Sequence, residues 1–129
     1  MATVADVRRI ALGLPGAAEK PSHDGLAWQV GKKSFAWERP LRKSDLAALG
    51  DEAPEGPNLG VYVSDEGEKQ ALLDEGMPLF FATPHLDGWP IVLVRLDAIG
   101  EDRLREVIVE SWLARAPKKL VEEFLANGL

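Results

Sequence analysis

The chain has 129 residues, 46% of them apolar and 28% charged, with a formal net charge of −6 and no cysteine. That length holds one domain, 1–129, with a core of its own, and the lack of cysteine excludes disulfides, zinc–thiolate sites and thiol nucleophiles. Acidity works against a broad phosphate-binding surface, since each neutralised phosphate needs a nearby cation.

The first residues lack a basic n-region followed by an apolar h-region, and no apolar run nears the roughly 20 residues that span a bilayer. The expectation is a cytoplasmic protein without membrane contact.

Thr3 and Asp6 stand at capping-box spacing, and Val4, Val7, Ile10, Ala11 and Leu14 recur at helical spacing, so a helix is predicted up to Leu14-Pro15-Gly16. Glu19 to Gly25, with Pro21, His23 and Asp24, reads as a polar loop. Strands are predicted over Leu26 to Val30 and Ser34 to Glu38, joined by Gly31-Lys32-Lys33 as a hairpin. Alternation puts Phe35 and Trp37 together on one aromatic, buried face.

Ser44 and Gly50 bracket a short helix, and the acidic stretch Asp51 to Pro57 reads as an exposed loop. A third strand, Leu59 to Val63, precedes a helix over Asp65 to Glu75 that Ser64 caps and Gly76 and Pro78 stop. Strands Leu79 to Ala82 and Ile91 to Leu96 flank a central turn. An amphipathic helix from Glu101 carries Leu104, Val107, Ile108, Ser111 and Trp112 on one face, and after Pro117 a last helix runs to about Asn127. Short connections favour antiparallel pairing. The predicted fold is a two-layer α+β domain with a five-stranded antiparallel sheet, in the order α-β-β-β-α-β-β-α and followed by the last short helix.

The turn Thr83 to Trp89 gathers an imidazole, an acid and an indole, making His85, Asp87 and Trp89 the candidate ligand-binding residues. His85 and Asp87 have two readings: a metal or acid–base pair, or a His that hydrogen-bonds the turn's carbonyls. The second is favoured, because a metal site gathers three or more ligands and only His23 and Asp24 could complete one. No metal, cofactor or catalytic residue is expected. Ser22, Ser34, Ser64 and Ser111 lack a nucleophile elbow, and there is no glycine-rich phosphate loop.

Lys32, Lys33, Arg39, Arg42 and Lys43 form the concentrated basic region and the candidate nucleic-acid contacts. An ordinary solvated hairpin end, with Lys blunting an edge strand, is the favoured reading of them. Most of the four tryptophans are expected in the core, with Trp89 the candidate for exposure.

Four segments resemble landmarks of the MmcQ/YjbR family: Leu12-Gly13-Leu14-Pro15-Gly16-Ala17-Ala18-Glu19, Lys32-Lys33-Ser34-Phe35-Ala36-Trp37, Phe80 to Trp89, and Glu110-Ser111-Trp112. They occur in the family's order, to about Leu120. The resemblance implies a fold similar to bacterial secretion chaperones and frataxin, with helices on one side of the sheet, and a DNA-binding role through a double-wing arrangement. Better-known members carry Tyr where this chain has Trp112, a change that keeps a ring and drops a hydroxyl. The resulting expectation is a non-enzymatic module binding DNA weakly and non-specifically. Its alternatives are a protein-interaction or chaperone-like adaptor, and a small-ligand binder at the 83–89 turn.

Overall fold

The computed structural model describes residues 2–22, 25–50, 56–76 and 79–127. His23, Asp24, the acidic residues Asp51, Glu52 and Glu55, Pro78 and Gly128 lie outside the described residues.

Helix α1 (Val4–Leu12) starts at the predicted capping box, with the Thr3 and Asp6 side chains each accepting the other's backbone N–H. The strands are β1 (Ala17–Ser22), β2 (Gly25–Val30), β3 (Lys33–Glu38), β4 (Asn58–Tyr62), β5 (Phe80–Phe81) and β6 (Ile91–Arg95), and the remaining helices are α2 (Lys43–Leu49), α3 (Glu66–Glu75), α4 (Glu101–Arg115) and α5 (Lys118–Ala126). All strand pairs are antiparallel, in the order β1-β2-β3-β4-β6-β5.

The sheet therefore has six strands, not five. The extra one is β1, where a polar loop was predicted: residues 17–22 pair in full register with β2, from Ala17↔Val30 to Ser22↔Gly25. The α2 N-cap is Arg42 rather than Ser44, and the α3 N-cap is Asp65, whose carboxylate accepts the Glu68 N–H, rather than Ser64.

Helices α1 and α4 cover one face of the sheet. Side chains alternate along β4 and β6, so Leu59, Val61, Val92 and Val94 join Val7, Ile10, Leu104, Ile108 and Trp112 in the main core. Trp112 donates its indole N–H to the Pro15 carbonyl (3.0 Å) and packs on Phe124 of α5, ring centres 5.0 Å apart.

The opposite face carries a smaller cluster of Phe81, Leu86, Ile91 and Leu93, against which Leu41, Leu49, Trp37 and Tyr62 pack. Helices thus lie mainly on one side, with α2 and the 84–86 turn on the other.

Phe35 and Trp37 do not share a face. Trp28 pairs with Ala36 while Gln29 pairs with Ser34, so Phe35 is an extra residue in β3, a bulge. Phe35 consequently joins Trp28 in the main core, whereas Trp37 turns to the outer face.

Candidate functional site

The 83–89 turn is built from a 3₁₀ segment, Pro84–Leu86, with Pro84 setting its first φ and Gly88 (φ 82°) closing it. His85, Asp87 and Trp89 are all exposed on it, Trp89 at 59%. His85 makes no hydrogen bond among the described residues, so it does not tie down the turn's carbonyls as the sequence suggested.

Lys69 does that work. Its ammonium reaches from α3 to the carbonyls of Leu86 (2.8 Å) and Trp89 (2.7 Å) while the residue is 4% exposed. No carboxylate pairs with it among the described residues. A buried donor needs acceptors in place of the water it gives up, and two carbonyls of one turn supply them here. The outcome is an exposed indole on a backbone clamped from below.

The five basic candidates do not form one patch. Arg39 is 5% exposed and turned inward, its Nη1 3.0 Å from Asp45 Oδ2 and 2.6 Å from the Pro40 carbonyl. Burial pushes the Asp45 carboxyl up, but the Arg42 N–H and the Arg39 guanidinium outweigh it and hold the group below its usual range.

Arg42 and Lys43 are exposed beside α2, and Lys32 and Lys33 are exposed at the other end of β3. Six residue steps of strand separate Lys33 from Arg39, roughly 20 Å. The β2–β3 tip also does not project as a wing, since a Cβ on Gly31 would stand 2.9 Å from Pro117.

The landmark residues prove to be joints of the fold. Ser111 Oγ lies 3.0 Å from the Phe35 carbonyl oxygen and 2.5 Å from that of Tyr62, so the single α4 hydroxyl hydrogen is shared between acceptors on β3 and β4. Arg115 donates to the Ser34 carbonyl and sets its guanidinium 3.9 Å from the centre of the Tyr62 ring. Sequence reasoning missed Lys69, because a Lys among the acids of a helix gives no sign of turning inward, and it read Arg115 at the end of α4 only as a complement to the helix dipole.

The geometry defines a two-layer α+β domain that presents a fixed aromatic turn on the face away from its main helices. The YjbR family model matches residues 12–114, and the chain belongs to that family. It is 55% identical to an uncharacterized protein of Mycobacterium tuberculosis and to one of Mycobacterium bovis, each over 131 residues and 99% of both chains. It is also similar to the crystal structure of a Deinococcus radiodurans protein with a DUF419 domain, at a TM-score of 0.64 and 22% identity, over 88% of this chain and 78% of that one. That second likeness concerns the fold alone.

Proposed function

We propose that the chain is a non-enzymatic binding module whose Trp89 turn docks into an apolar pocket of a basic protein partner. The observation that carries this reading is the Trp89 indole, 59% exposed on a turn that the Lys69 ammonium holds from within. Trp is over-represented among residues that dominate interfaces, and a pre-ordered anchor loses little entropy on binding. Asp87 beside it and the net charge of −6 favour a cationic rim on the partner.

The test is capture with the wild-type chain, followed by purification of the captured protein and measurement of the binary Kd. Trp89→Ala is expected to raise that Kd by about 30-fold or more. Failure to capture a saturable partner, or a Kd unmoved by Trp89→Ala, would overturn the reading.

Nucleic acid is a second reading, supported by Lys32, Lys33 and Lys43, which are exposed and carry no ion pair among the described residues. With Arg42 they could neutralise at most about four phosphates, so the slope of log K against log salt should be no steeper than about −4. Fluorescence anisotropy on duplexes of unrelated sequence should give equal, weak affinities. Tight binding that discriminates sequences at physiological salt would sink this second reading.

A further inference from the structure

The outer face of the sheet holds a hollow that the Trp89 turn does not use. Lys20, Ala27, Trp37 and Gly60 stand directly opposite one another on β1, β2, β3 and β4. The two small residues flank the large one, and the Trp37 ring lies over Gly60: a Cβ there would come within 2.5 Å of its Cε2. With the indole placed over β4, a hollow of about 260 Å³ remains beside it, with the buried Ala27 at its base, Lys20 and Ser22 on one side and Ser34, Trp37 and Tyr62 on the other.

We propose that this hollow binds a small planar organic anion, an aromatic carboxylate being the simplest. The residues that line it carry donors, the Lys20 ammonium, the Ser22 and Ser34 hydroxyls, the Trp37 indole and the Tyr62 phenol, and no carboxylate of the described residues lines it. Lys20 and the Trp37 N–H have no partner among the described residues, in contrast to Arg8, Arg9, Arg95 and Arg103, which all meet carboxylates. The Trp37 and Tyr62 rings, 5.3 Å apart and inclined at 53°, give a flat ligand an apolar wall. Behind Tyr62, the Arg115 guanidinium adds positive potential. A volume below the roughly 300–1,000 Å³ of drug-sized sites limits the occupant to about one ring with its acid group.

The test titrates benzoate, acetate and benzyl alcohol into the ¹⁵N-labelled chain and follows the Trp37 indole N–H resonance. Benzoate is expected to saturate with a Kd of about 10 mM or below, and acetate and benzyl alcohol to bind at least about threefold more weakly. Lys20 is exposed, so Lys20→Ala should fold normally. It is expected to erase the preference for benzoate over benzyl alcohol while leaving benzyl alcohol binding unchanged. A Trp37 resonance that stays still, that moves alike with all three probes, or that responds to benzoate in Lys20→Ala as in wild type would overturn the proposal.

Discussion

Replacing Arg39 with Met is expected to lower the stability of this domain by about 3–5 kcal/mol, the usual cost of stranding one member of a buried ion pair. Arg39 and Asp45 are 5% and 2% exposed and 3.0 Å apart. Met fills similar volume, so the loss comes from the carboxylate left buried without its guanidinium, the Arg42 N–H still donating to it. Because α2 carries Asp45 and brings Leu49 onto the outer cluster, the helix should loosen and expose Phe81, Leu86 and Ile91.

Urea denaturation measures the loss, and the pH dependence identifies its cause. Asp45 is held below its ordinary value of 3.8, so its pairing stabilises the wild type fully above that pH and is lost as the pH falls through the lower folded value. In Arg39→Met the carboxyl protonates more readily, so the gap from wild type should narrow in acid. A second change, Asp45→Leu, should recover much of the loss. A single-variant loss under about 1 kcal/mol, or a gap independent of pH, would contradict the account.

Lys69→Met is expected to cost about 3 kcal/mol, from two charge-assisted hydrogen bonds lost and two carbonyls left short of a donor. His85→Ala should lie within about 0.5 kcal/mol of wild type, as an exposed side chain without a partner does. The comparison is decisive because sequence reasoning assigned the turn's hydrogen bonds to His85. Thermal unfolding of both variants, with hydrogen exchange at the amides of Trp89 and Ile91, reads the outcome. A large loss in His85→Ala beside a small one in Lys69→Met would reverse the assignment.

What was legible in the chain was what short-range pattern encodes. The Thr3–Asp6 box, the helical stripe through Trp112 and the apolar runs of β4 and β6 each announce their element within a few residues. β1 did not, because its inward residue is an acid: Glu19 accepts from the Trp28 indole (3.0 Å) and from Arg8 (2.7 Å). A strand whose buried-side position is Glu has no period-2 apolar signature, and Pro21 further disguised it.

The Phe35 bulge was invisible for a related reason. An added residue reverses the alternation beyond it, and only the pairing with β2 and the hydroxyl from α4 reveal the insertion. Of the candidate site, exposure of Trp89 was readable from its place in a polar turn. The inward turn of Arg39 was not, since it depends on Asp45 folding back from a helix that starts four residues later.

The order of strands also governs how this molecule can meet others. One rim of the sheet is β1, where Pro21 offers no N–H and Lys20 would carry its charge into any added strand. The other rim is β5, two residues long, too short to template a third chain segment. Both borders are thereby closed to strand addition, which guards against edge-to-edge stacking. Recognition is left to surfaces shaped by side chains, so selectivity must rest on what those side chains are rather than on backbone ladders any extended peptide could satisfy.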